Sequence, residues 1–264
     1  TRTGSIGLRT ELDAYTFSAG AGDRLWVRLS DTDYYFDPEI RLYTAGGDLV
    51  ASAWSSGHFV EISPTLSTAG DYVVWVGDNG GTDTAGDYAL SLYRVNNPAG
   101  TEPVAYGETR TGSIGLRTEL DAYTFSGDAG DEIWVRLNDD NYYFDPQIWI
   151  LSLDGSLVTS AWSTEDLLEI RHTLQSTEAF VIWVGDNGGT DTANYTLYLR
   201  EAETEPLLPI GVTQEIVVSS EWPTLYRISV PAGAANLFVA LQKYDSWAGG
   251  LALYDDAAAV VAAS

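Results

Sequence analysis

TRTGSIGLRTELDAYTFS, residues 1–18, returns without a change at residues 109–126. Two identical copies set a period of 108 residues, and the rest of the chain keeps it. Asp23 falls on Asp131, Tyr34 to Pro38 on Tyr142 to Pro146, Trp54 on Trp162 and Trp75 on Trp183, and VGDNGGTDTA at 76–85 recurs at 184–193. Such a period is too long for a solenoid turn or a propeller blade and matches one self-sufficient domain, so it predicts tandem modules. Within the quoted stretch, Asp13-Ala-Tyr15-Thr-Phe17 alternates with a period of two, sending Tyr15 and Phe17 to one face. That is the mark of a strand.

Working outward, alternation continues and helical periodicity is nearly absent, which predicts an all-β chain. Leu25, Val27 and Leu29 point inward while Trp26 and Arg28 point the other way; Ile40 and Leu42 follow, then Leu49 to Trp54. Tyr72, Val74 and Val76 face in with Val73 and Trp75 out, and Tyr88, Leu90 and Leu92 close the module. The second copy repeats this with Ile133, Val135, Leu137, Ile148, Ile150, Phe180, Ile182, Val184, Tyr195, Leu197 and Leu199. Glycine and aspartate turns separate about eight short strands per module, which implies a sandwich. The predicted organisation is a β-sandwich over 1–95, a linker over 96–108, a second sandwich over 109–200, a linker over 201–209 and a partial third sandwich over 210–264. In that last part Tyr226 and Ile228 stand where Tyr123 and Phe125 stood, and Leu253-Tyr254 echoes Leu42-Tyr43. Counterparts of the strands at Tyr72 to Val76 and Tyr88 to Leu92 are missing from it. An open sheet edge and an uncovered apolar face there invite pairing with another chain.

Composition narrows the function. Thirty-eight acidic residues against 13 basic ones give a net charge of −25, and Lys243 is the one lysine. Nucleic acid and anionic membrane surfaces are therefore disfavoured as partners. No apolar run reaches the length of a membrane span, so no membrane insertion is expected. Without cysteine there is no disulfide framework and no thiol chemistry. An acidic, cysteine-free β chain rich in Gly, Thr and Asp fits secretion to the outside or surface of a bacterial cell. Because the chain starts at Thr1, it is expected to be processed or cut from something longer.

The ordered series D-x-Y-x-F, A-G-D-x-(Leu/Ile)-x-V-x-L, F-D-P-x-I-x-L, a G-x-L-V turn strand, G-D-Y-x-V-x-V and G-D-Y-x-L-x-L resembles the bacterial pre-peptidase C-terminal domain family. The resemblance covers 1–95 and 109–200 well and 206–264 in part. It implies a jelly-roll-like sandwich, similar to the collagen-binding modules of secreted collagenases, and an accessory, adhesive or structural role, sometimes with calcium. In the collagenase modules an acidic segment ahead of the sandwich contributes to the calcium site; residues 96–108 hold only Glu102 and Glu108.

Two sets of residues are candidates for function. Asp31, Asp33, Asp37, Asp78 and Asp83, with Asp139, Asp140, Asp145, Asp186 and Asp191 in the second copy, put hard oxygen ligands on Gly-rich loops, which suits calcium. The same residues also suit plain turns, where Asp bonds nearby backbone amides. Trp26, Trp75, Trp134, Trp149 and Trp183 alternate with core residues and are expected on solvent-side faces, with Arg28 and Arg136 placed to stack on Trp26 and Trp134. With the tips Tyr34-Tyr35 and Tyr142-Tyr143, they read as a contact surface for a neighbouring module or subunit, or as a platform for collagen or polysaccharide. Catalysis has little support: His58 aligns with Asp166 and His172 with Pro64, so neither histidine repeats, and no nucleophile-elbow, zinc or phosphate-loop motif occurs. The sequon Asn194-Tyr-Thr196 falls on a predicted strand. These expectations converge on a non-enzymatic extracellular structural protein that assembles with itself into a fibre or layer, or alternatively on an accessory binding module of a secreted peptidase or surface protein.

Overall fold

The computed structural model describes residues 1–8, 10–32, 36–79, 86–201 and 228, and the backbone of 252–254 and 260–263. Asp33, Tyr34, Tyr35 and Asp83, and most of 202–264, lie outside the described residues. The chain divides into one compact unit over Thr1–Arg200 and another over Glu201–Ser264.

The first sandwich is built from β1 (Arg2–Ile6), β2 (Asp13–Ala19), β3 (Leu25–Asp31), β4 (Pro38–Thr44), β5 (Leu49–Trp54), β6 (Phe59–Ile62), β7 (Gly70–Asp78) and β8 (Gly86–Arg94). They form two antiparallel sheets, β1-β8-β3-β6 and β2-β7-β4-β5. Apart from the β4–β5 hairpin, consecutive strands alternate between the facing sheets, as in a jelly roll. The second sandwich repeats it with β10 (Glu108–Ile114), β11 (Leu120–Gly127), β12 (Glu132–Asp139), β13 (Pro146–Ser152), β14 (Leu157–Trp162), β15 (Leu167–Thr173), β16 (Glu178–Asp186) and β17 (Ala193–Glu201). Its sheets run β10-β17-β12-β15 and β14-β13-β16-β11-β9, where β9 (Glu102–Pro103) pairs in parallel with Tyr123 and Thr124. Residues 102–103, read from sequence as linker, thus extend a sheet of the second sandwich.

Each sandwich encloses its own apolar core, with Val27, Leu29, Ile40 and Val74 in the first and Val135, Leu137, Ile148 and Ile182 in the second; Leu92, expected to face inward, is 37% exposed and stands outside it. The repeated D-x-Y motif ties the two sheets of each sandwich together. Tyr88 on β8 bonds Asp13, and its hydroxyl lies 2.7 Å from that of Tyr15, both on the facing sheet. In the second copy Tyr195 donates to Asp121 Oδ2 at 2.6 Å and lies 2.8 Å from the Tyr123 hydroxyl. Burial raises the pKa of Tyr88 and Tyr195 far above the ordinary phenol value, so both stay protonated donors. The tyrosine ring also explains the glycine of T-G-S: a Cβ on Gly4 or Gly112 would overlap the ring of Tyr88 or Tyr195.

In both sandwiches the Gly/Asp hairpin between the fourth and fifth strands carries a register shift, at Leu42/Tyr43 and at Ile150/Leu151, with Gly47 and Gly155 in the left-handed region. In the C-terminal unit β18 (Ala252–Tyr254) pairs antiparallel with β19 (Val260–Ala263), and the shift falls between Leu253 and Tyr254. The register shift of this hairpin falls on the Leu-Tyr pair that echoes Leu42-Tyr43 in sequence.

Candidate interaction surface

Alternation places Trp26 and Arg28 on the outer side of β3, and the outer side of this strand is covered. Val27 to Asp31 are all buried, so β3 is occluded on both faces. Its outer face meets the outer face of β11, β13 and β16. There Val95, Leu120, Leu151, Val181 and Trp183 form a third apolar cluster, flanked by Trp26, Tyr93, Ala122, Trp149 and Leu153. The Trp26 ring lies 5.3 Å from Trp149 and 5.7 Å from Trp183, and Tyr93 lies 5.4 Å from Trp183 edge to face. Aromatic pairs in such geometry add roughly 0.5–1.5 kcal/mol each beyond their burial. The outward residues of one sandwich are thus the core of its junction with the next.

Arg28 is the polar centre of that junction. Its guanidinium is 1% exposed, pairs with Glu61 at 3.1 Å and donates to the carbonyls of Asp186 (3.2 Å) and Thr118 (3.5 Å). Its Cζ stands 4.9 Å from the Phe59 ring and 5.7 Å from that of Trp149. Burial lowers the Arg28 pKa and raises that of Glu61, each opposed by its partner's charge. A pair so desolvated is costly to break from one side. The loop 115–120 supplies further polar contacts: Arg117 donates to the Asp31 carbonyl, Thr118 Oγ1 lies 2.7 Å from Ser91 Oγ, and the Leu120 amide donates to the Tyr93 hydroxyl at 2.7 Å.

The tryptophans differ in where they end. Trp183 and Trp134 are buried, and Trp26, Trp75 and Trp149 are half-buried, so the expectation of solvent-side faces does not hold for the first two. Covering by a second layer is something periodicity cannot register. The expected arginine pairing also differs. Trp134 is faced by Arg171 at 4.4 Å and Arg200 at 5.3 Å, and Arg171 is its direct cross-strand partner. Cross-strand neighbours approach more closely than residues two apart on one strand. Arg136 instead lies 3.4 Å from Glu169, as Arg28 pairs with Glu61. Tyr142 and Tyr143 are 80% and 72% exposed at a loop tip, their rings perpendicular at 5.5 Å.

The acidic loops spend most of their oxygens on the backbone. Asp78 Oδ1 accepts from the Asp37 amide, and Asp186 Oδ1 from that of Asp145, both at 2.9 Å. Asp186 Oδ2 accepts from Thr190 and Asp191 at 2.8 and 3.3 Å. Burial raises the Asp186 pKa against these bonds. Asp140 holds Asn194 through both oxygens at 2.9 Å. Among the described residues no three His, Asp or Glu side chains are grouped to hold a metal.

Asp31 and Asp139 occupy the same place and differ in company. Asp31 accepts from His58 Nδ1 at 2.8 Å. Asp139 receives the Asn141 amide on Oδ1 at 3.0 Å, its Oδ2 is buried with no hydrogen-bond partner, and Asp166 stands at the position of His58. Burial first, then the charges of Asp166 and Asp140, push its pKa up to about 6. A cavity of about 580 Å³ opens here, lined by Thr111, Asn138, Asp139, Asp140, Asn194 and Thr196.

Sequence reasoning missed Ser91, Tyr93 and Thr118 as junction residues. A signal was present at outward positions where the copies diverge: Trp149 replaces Arg41, and Ser91 and Tyr93 stand opposite Tyr198 and Arg200.

No protein-family model and no curated protein matches the chain. Solved structures similar to parts of it include the pre-peptidase C-terminal domain of a collagenase from Bacillus anthracis, 14% identical over 40% of this chain and 99% of that one, with a TM-score of 0.35. Another is a periplasmic inhibitor of g-type lysozyme from Aeromonas hydrophila, 12% identical over 38% of this chain and 95% of that one, TM-score 0.32. The N-terminal CBM22 tandem domain from Paenibacillus barcinonensis is 7% identical over 71% and 82%, TM-score 0.23.

Proposed function

We propose that this chain is a non-enzymatic extracellular structural protein of bacterial origin, whose tandem sandwiches assemble with copies of themselves into a surface fibre or layer. The observation that carries the reading is the junction of the first two sandwiches. Several of its contacts come from outward residues present in both full copies, among them the loop 115–120 and the Arg–Glu pair between the third and sixth strands, and others, Trp149, Ser91 and Tyr93, are particular to one copy. A sandwich made to stack on its own kind is suited to a stiff array. The net charge of −25 supports solubility before assembly and makes assembly depend on screening. Light scattering coupled to size exclusion at physiological salt, with electron microscopy of the largest fraction, tests this. Filaments or sheets are expected; a monomer at every concentration overturns the reading.

The exposed Tyr142-Tyr143 tip favours a second reading, an accessory module that binds collagen or polysaccharide. Binding to immobilised collagen or glycan that Tyr142→Ala and Tyr143→Ala abolish would establish it over the first.

A further inference from the structure

The outer strand of an open sheet offers a row of amides and carbonyls to any strand that reaches it, and charge or proline on that strand discourages the pairing. Most edges of the two sandwiches are guarded in this way: Arg2 stands on β1, Asp13 on β2, Glu61 on β6, Glu108 on β10 and Glu169 on β15, and β9 consists of Glu102 and Pro103. The exceptions are β5 (LVASAW) and β14 (LVTSAW), equivalent edges of the two sandwiches that carry neither a charge nor a proline.

Both strands also turn apolar side chains to solvent. Leu49, Trp54, Leu157 and Trp162 are each more than half exposed, and burial follows the same pattern along the two strands. On the neighbouring strand Arg41 gives way to Trp149 between the copies, yet the edge changes only from Ala51 to Thr159. The register shift of each hairpin lies at its turn end, which leaves 51–54 and 159–162 as regular strand. The Ser55 amide donates to the Pro38 carbonyl at 3.1 Å, and that of Ser163 to the Pro146 carbonyl at 3.0 Å. The alternation of an antiparallel ladder therefore turns the main-chain groups of Ser52 and Trp54, and of Ser160 and Trp162, toward the open side.

We propose that β5 and β14 are the edges through which copies of this chain join, each pairing antiparallel with the same strand of a second copy. The occupant follows from charge and register. Two molecules of net charge −25 approach at least cost where neither brings a carboxylate, and these edges bring none. Pairing about Ala53 sets Ser52 opposite Trp54 of the second copy, so every outward main-chain group of 52–54 finds a partner and both indoles lose water; Ala161 is the equivalent centre on β14. Because the chain carries one such edge on each sandwich, the pairing extends beyond a dimer. The inference rests on the self-assembly reading and names its contact.

Two kinds of variant of the full chain test it. Trp54→Lys and Trp162→Lys put a charge on each edge at an exposed position. Ser52→Pro and Ser160→Pro remove an amide that faces the open side, where proline is tolerated. In sedimentation velocity over a concentration series at physiological salt, wild type is expected to pass from dimers to longer species, and a chain altered on one edge to stop at dimers. Chains altered on both edges, by lysine or by proline, are expected to associate at least tenfold more weakly than wild type while keeping its β circular-dichroism signal. Doubly altered chains that assemble as wild type does overturn this contact and leave the assembly reading standing. Assembly that lysine abolishes and proline leaves intact overturns strand pairing. Singly altered chains that are monomeric alone and dimerise when the two are mixed overturn the pairing of like with like. Wild type that never associates overturns both the contact and the assembly reading.

Discussion

Residues 7–12 and 115–120 have one sequence and share a glutamate-capped turn with a threonine at positive φ, yet Leu120 is 5% exposed and Leu12 is 41% exposed. The shape is local: a glutamate captures two amides of its own turn and holds a threonine in the left-handed region whether or not anything covers it. Burial is contextual and comes from the neighbouring sandwich. The same contrast runs through the tryptophans, with Trp183 enclosed by Trp26 and Tyr93 and its counterpart Trp75 half-exposed. The repeat therefore supplies the loop in both copies, while residues that differ between the copies, Trp149 in place of Arg41 and Ser91 and Tyr93 in place of Tyr198 and Arg200, complete the junction.

The largest expected effect breaks that symmetry at the tryptophans. Trp183→Ala empties the junction and is expected to lower stability in denaturant titration by about 3–5 kcal/mol, whereas Trp75→Ala lowers it by about 1 kcal/mol. Equal losses would mean that the junction contributes nothing. Arg28→Ala leaves the half-buried Glu61 without its partner and opens a gap at the junction, and is expected to cost about 1–3 kcal/mol.

Next come the paired aspartates, where the same change carries opposite signs. Asp31→Asn weakens the bond to His58 and is expected to destabilise by about 1–3 kcal/mol. Asp139→Asn removes a carboxylate that folding desolvates beside Asp140 and Asp166, so at pH 7 it is expected to raise the melting temperature by a few degrees. The Asp139 pKa is about 6 in the fold against an ordinary 3.8, so the folded state binds the proton more tightly. Its destabilisation is fully present above pH 6, fades as pH falls from 6 to 3.8 and is gone below 3.8. The gain from Asp139→Asn should vanish over the same window, read as melting temperature against pH.

Smaller still are the threonines. Thr10→Gly relieves strain on the surface and is expected to stabilise by roughly 0.5–1 kcal/mol, while Thr118→Gly loses the Ser91 bond and destabilises by about 1 kcal/mol. Chelation has the smallest expected effect. Asp78 and Asp186 already cap backbone amides, so EDTA should leave the melting temperature where it was; a fall would establish a stabilising calcium site.

Much of this was legible in the residues. Alternation around Leu25-Val27-Leu29 and Tyr72-Val74-Val76 identified the cores, and the repeat identified the two sandwiches. The sheet order also follows the expected jelly roll. What alternation could not say is what lies beyond the outer face. Trp26 and Arg28 are outward relative to their own core and enclosed by the next one, and the two statements have the same periodicity. Asp186 read as a possible ligand because a carboxylate in a glycine-rich loop looks alike whether it caps amides or binds a cation.

Amide hydrogen exchange on the two loops tests the central claim most directly. The account predicts protection of the Thr118 and Leu120 amides at least tenfold stronger than that of Thr10 and Leu12 in the dilute protein. Loops that exchange alike would contradict it.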